Sequence, residues 1–123
     1  MNSQKIIKFV EYWNLKDIDS IVSCFTNDGY WENIPIARST GKEEIRSSLV
    51  RFLGQVDKVR WTIDHISENA DGTVLTERMD GFVMNSGAAV DLPVMGIFEM
   101  RDGLIAGWRD YFDLGTLQKQ MAG

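Results

Sequence analysis

The chain has 123 residues with 13 basic and 18 acidic side chains, a formal charge of −5 at pH 7, and 44% hydrophobic composition. That length fits a single domain, residues 1–123, without room for a separate cofactor domain, and the acidic balance argues against nucleic acid as a partner. No apolar run approaches the ~20 residues that span a bilayer, and the polar start is unlike a signal peptide, so a cytoplasmic protein without membrane contact is expected.

From Ser3 to Trp13 the apolar residues Ile6, Ile7, Phe9, Val10 and Trp13 recur at helical spacing, with Asn2 or Ser3 available as a cap. A second short helix carries Ile18, Ile21, Val22 and Phe25 on one face behind Asp17 as cap, with Cys24 a small buried side chain near its end. Asn27-Asp28-Gly29 breaks this helix, and Tyr30 to Ile34 reads as a short strand closed by Pro35. Thr40 with Glu43 forms a capping box for a helix whose Ile45, Leu49, Phe52 and Leu53 share one face.

Beyond Val59 the period becomes two. Strands at about Val59 to Glu68, Thr73 to Met84, Ala89 to Met100 and Leu104 to Phe112 are separated by Asp71-Gly72, Asn85-Ser86-Gly87 and Asp102-Gly103. A last helix, capped by Asp113, carries Leu114, Leu117 and Met121. Helices followed by a long meander predict an α+β fold, with helices packed on a curved, mostly antiparallel sheet that encloses a pocket.

Cys24 is the only cysteine and His65 the only histidine, so one chain can form neither an internal disulfide nor a Cys/His zinc cluster. Carboxylates therefore become the main candidates for proton transfer. Alternation puts Arg78, Asp80, Phe82 and Met84 on one strand face, and Trp108, Asp110 and Phe112 on one face of the last strand. If both faces line the concave side, two carboxylates surround one guanidinium inside an apolar hollow, a costly arrangement to bury for stability alone. Spacing alone equally allows a solvated Arg–Asp pair, and an Asp110 that binds backbone amides where strand turns to helix.

Trp31 and Asn33 share a face of the short strand, where Asn33 also suits a strand-end turn. Trp31, Trp61 and Trp108 read as core or cavity wall, and so does His65, which alternates with Trp61 and Ile63.

The stretches Tyr30-Trp31-Glu32-Asn33-Ile34-Pro35, Thr76-Glu77-Arg78-Met79-Asp80 and Gly107-Trp108-Arg109-Asp110-Tyr111-Phe112-Asp113 resemble those of limonene-1,2-epoxide hydrolases. These enzymes share the cone-shaped fold of nuclear transport factor 2 and SnoaL-like proteins. The resemblance implies hydrolysis of a small apolar epoxide by direct attack of water, without cofactor or metal, and a homodimer. It implies Asp110 as general base, Asp80 as general acid, Arg78 as their bridge and Asn33 as a water ligand, with Trp31, Phe82, Met84, Trp108 and Phe112 around the substrate. The family's second water ligand is a Tyr, and Trp31 stands in its place; an indole N–H donates but cannot accept. Two other readings stay open at this point: a non-catalytic pocket for a small apolar ligand, and an isomerase of the ketosteroid type that uses an aspartate base.

Overall fold

The computed structural model describes residues 1–123. Four helices, α1 (Asn2–Asn14), α2 (Ile18–Ser23), α3 (Lys42–Leu53) and α4 (Leu114–Ala122), pack on six strands. The strands are β1 (Phe25–Asn33), β2 (Ala37–Thr40), β3 (Val56–Glu68), β4 (Val74–Met84), β5 (Ala89–Arg101) and β6 (Leu104–Tyr111). They form one sheet in the order β2-β1-β6-β5-β4-β3, antiparallel except where β1 lies parallel to β6. The predicted α+β architecture is present, with a mixed sheet that does not close on itself.

Helix α1 lies on the concave side because Ile6, Phe9, Val10 and Trp13 fall on one stripe, and all four are buried. Each such side chain contributes about 1.5–3 kcal/mol when removed from water. Phe9 and Trp13 meet Trp108 edge-on, and Phe98 stacks on Trp108, so an aromatic floor forms where α1 crosses the sheet. Asn14 fixes the end of α1: its amide donates to the Trp61 carbonyl at 3.1 Å and its oxygen accepts from the Trp61 amide at 2.7 Å.

Several local expectations are corrected. Asn27-Asp28-Gly29 does not end a helix but lies within β1, where pairing with β6 slips between Phe25 and Tyr30. After the Pro35 turn the chain returns as β2, antiparallel to β1, a strand too short and too exposed to show apolar alternation. The expected capping box at Thr40 is absent, because Thr40 closes β2 and Gly41 occupies the cap with φ +86°. Glu44, not Glu43, reaches back to the Thr40 amide at 3.0 Å.

Neither Asn2 nor Ser3 caps α1; the Ser3 amide instead donates to Glu68 at 2.7 Å. Asp17 and Asp113 do cap α2 and α4, by accepting from the amides of Ser20 and Thr116. Cys24 is half-buried rather than fully buried, and its thiol donates to the Ser20 carbonyl at 3.3 Å.

His65 is the clearest inversion. Ile63 pairs with Arg78 but His65 pairs with Glu77, so Asp64 is an extra residue that reverses which side chains face inward. Ile66 takes the inner position, while His65 stands outside with its side chain 83% exposed, against Glu77 at 2.8 Å.

Candidate active site

A cavity of about 330 Å³ opens between α1, α3, α4 and the concave face of the sheet. Trp13, Phe52 and Trp61 line it from the helical side and the β3 edge, Phe82, Leu92 and Val94 from β4 and β5, and Leu117 and Met121 from α4. Five polar residues interrupt this wall: Asn33, Ser39, Ser48, Asp80 and Asp110. Its volume falls within the range of sites for small organic ligands.

Strand geometry brings the charged residues together. Arg78 and Asp80 project the same way from β4, and Asp110 projects from β6, with β5 between them. Gly96 of β5 pairs with Thr76 on one side and Asp110 on the other, so the Arg78 side chain crosses above a residue that has no Cβ. The guanidinium binds Asp80 through Nε at 3.0 Å and Nη2 at 2.8 Å. It binds Asp110 through Nη1 at 3.1 Å and Nη2 at 2.8 Å, and donates to Thr76 Oγ1 at 3.1 Å. Its carbon lies 4.9 Å from the centre of the Trp61 ring.

Arg78, Asp80 and Asp110 are all buried, at 1%, 4% and 4% exposure. Burial pushes both carboxyls above their ordinary range, Asp80 to about 6, while the guanidinium beside them pulls the other way. Burial opposes the charge on Arg78 as well, but Asp110 and Asp80 more than compensate and keep it protonated. The two acids are not equivalent: Asp110 also accepts from the Trp108 indole at 2.7 Å. Each carboxyl group favours the ionised form less than usual, and two groups so close on one cation titrate as a pair. Such a pair can hold one acidic proton and one carboxylate near neutral pH.

Asn33 ends β1 directly opposite Asp110 in the parallel pairing, and both line the cavity. Trp31, two residues earlier on the same face, stacks on Trp108 with ring centres 5.2 Å apart. Trp31, Phe82 and Phe112 lie on the cavity wall. Trp108 and Met84 do not line the cavity. Trp108 is wholly buried beneath the cavity, and Met84 belongs to the small core around Val56 and Val90. Both point inward as alternation requires, but neighbouring side chains cover them.

Sequence reading did not single out Gly96, Ser39 or Ser48. A glycine in mid-strand is itself a signal of close approach by another group, whereas the serines become visible only through the β1–β2 hairpin. No group of three or more His, Cys, Asp or Glu side chains gathers where it could hold a metal ion.

A mixed sheet with four helices packed on it and an apolar cavity between them is the α+β fold of SnoaL-like and nuclear transport factor 2-like proteins. A SnoaL-like protein of Shewanella putrefaciens shares this fold at 18% identity, with a TM-score of 0.85 over 98% of this chain and 96% of the other. The limonene-1,2-epoxide hydrolase catalytic domain matches residues 1–123, and the chain belongs to that family of epoxide hydrolases. Epoxide hydrolase EphG of Mycobacterium tuberculosis is 34% identical over 105 residues, covering 85% of this chain and 68% of EphG. The structure of a limonene-1,2-epoxide hydrolase-like epoxide hydrolase of M. tuberculosis superimposes with a TM-score of 0.85 at 29% identity, over 98% of this chain and 89% of the other.

Proposed function

We propose that residues 1–123 act as one catalytic domain that adds water directly to a small, largely apolar epoxide and releases a vicinal diol. Asp110 is the general base, Asp80 the general acid, Arg78 the bridge that aligns them, and Asn33 a ligand of the attacking water. One observation carries this reading: a single buried guanidinium joins two carboxyls, both pushed upward by burial, at the wall of an apolar cavity.

The chemistry follows from what an oxirane requires. Its carbon needs a nucleophile while its oxygen needs a proton, and neither bare water nor a bare alkoxide leaving group serves near neutral pH. Asp110 takes a proton from water as the water oxygen bonds to one ring carbon. The bond from that carbon to the ring oxygen breaks, and the oxygen takes the proton of Asp80. The diol leaves with Asp110 protonated and Asp80 ionised, and exchange of one proton with solvent restores the pair. Arg78 holds both carboxyls in fixed positions throughout, so little reorganisation accompanies the charge shift.

Phe82, Leu92, Val94 and Phe112 hold the carbon skeleton by exclusion of water. The outer face of the sheet, where Met95 and Tyr111 pair across β5 and β6 and remain half-exposed, is the surface on which a homodimer would form. Elution at monomer mass in gel filtration would remove that assignment.

A single turnover in oxygen-18 water, with enzyme in excess over epoxide, tests direct attack. The expected diol carries one labelled oxygen in its first turnover. An unlabelled diol would mean that a carboxylate of the protein had attacked first, and would overturn the scheme.

A further inference from the structure

Three of the five polar residues on the cavity wall, Asn33, Asp80 and Asp110, belong to the proposed acid–base machinery; Ser39 and Ser48 do not. Ser39 on β2 and Ser48 on α3 bring their hydroxyl oxygens to 2.6 Å, and both residues are half-buried. The junction of β2 and α3 is closed without them, since the Gly41 amide donates to the Gly29 carbonyl at 2.7 Å and Glu44 accepts from the Thr40 amide at 3.0 Å.

A pair of hydroxyls holds two donors and four acceptor sites, and their mutual bond uses one of each. Arg51 contributes a long contact to Ser48 at 3.4 Å, which occupies one more acceptor. One hydroxyl proton and two lone pairs stay free at the cavity wall.

Their position relative to the acids follows from strand register. Asp110 pairs with Asn33, Asn33 with Ala37, and Ser39 lies two residues further along β2, opposite Trp31. Two strand spacings across and two residues along separate the backbones of Asp110 and Ser39 by about 12 Å in a flat sheet, less in a curled one. A chain or fused ring of moderate length bridges that span, with the oxirane at the carboxyls and its far end at the hydroxyls.

We infer that Ser39 and Ser48 form a second polar subsite, and that the substrate is an epoxide carrying a hydroxyl or carbonyl oxygen remote from the three-membered ring. This inference rests on the hydrolase reading above and names its substrate class. The physical asymmetry favours such a molecule. An apolar tail pressed against the serines strips water from a free hydroxyl proton and returns nothing, whereas an oxygen there accepts it.

The test compares terminal epoxides of equal chain length with and without a hydroxyl at the opposite end, on wild type and on the Ser39→Ala/Ser48→Ala double variant. The kcat/KM ratio, hydroxylated over plain, is expected to fall about 3- to 10-fold in the double variant, the worth of one neutral hydrogen bond. Binding of the same two compounds, followed by tryptophan emission from the cavity wall, is expected to shift its Kd ratio equally. An unchanged Kd ratio between wild type and the double variant overturns the subsite. Absence of diol from both compounds overturns the hydrolase reading instead, and the Kd ratio still decides the role of the serines.

Discussion

Replacing Gly96 by alanine places a methyl group beneath the guanidinium bridge while leaving every charged residue in place. The new Cβ would stand 2.6 Å from Asp110 Oδ1 and 3.0 Å from Thr76 Oγ1, and closer still to Arg78 Nη1. None of these atoms is the free end of a mobile side chain, because Arg78 is tied by five hydrogen bonds. The bridge must part from Asp110, and severing a buried ion pair in this way costs about 3–5 kcal/mol. For a chain of this size that corresponds to a fall in Tm on the order of 10–20 °C.

Activity should fall further than stability alone explains. With Asp110 released from Arg78, its buried carboxyl takes up a proton and loses its alignment, so kcat should drop about 10²- to 10⁴-fold at a temperature where the variant is still folded. Differential scanning fluorimetry and initial rates on one epoxide measure both quantities. A Gly96→Ala protein that melts within about 2 °C of wild type, the margin of an inert surface change, and retains its kcat would refute the reasoning.

Asp110→Asn and Asp80→Asn should each lower turnover at least ~100-fold with folding retained, as judged by circular dichroism. Between pH ~4 and about 6 the folded chain holds a proton on Asp80 that the unfolded chain has released, so this group's contribution to stability declines as pH rises through that window. Urea titrations across it should therefore show a downward slope in wild type relative to Asp80→Asn. On the proposed mechanism the alkaline limb of the pH–rate profile should begin near the same value, about 6, where the Asp80–Asp110 pair gives up its acidic proton. Trp31→Tyr supplies an oxygen on the Asn33 face, and diol formation should rise; an equal or lower rate would mean that water binds elsewhere.

Much of the site was legible because a strand's two-residue period is robust where residues are large and alternation is unbroken. Arg78, Asp80, Phe82, Asp110 and Phe112 all fall on the concave face where alternation puts them. The same rule misdirected His65, since one inserted residue at Asp64 leaves no compositional trace and yet exchanges the faces beyond it. Strand β2 escaped notice because its sequence, Ala37 to Thr40, buries almost nothing and is held by backbone pairing with β1. Trp108 and Met84 illustrate a further limit. Direction can be read from the pattern, but whether a side chain reaches a cavity depends on what lies above it, and that is decided by elements far away in the chain.

The parallel contact between β1 and β6 sets Asn33 beside Asp110. One arrives early in the chain and the other near its end, so this corner of the candidate site is assembled from segments separated by almost the whole meander. Closing so long a loop is slow, and pairings of high contact order form late. Recovery of catalysis during refolding should thus trail the recovery of helical signal, with the reactive corner among the last parts of the molecule to be built.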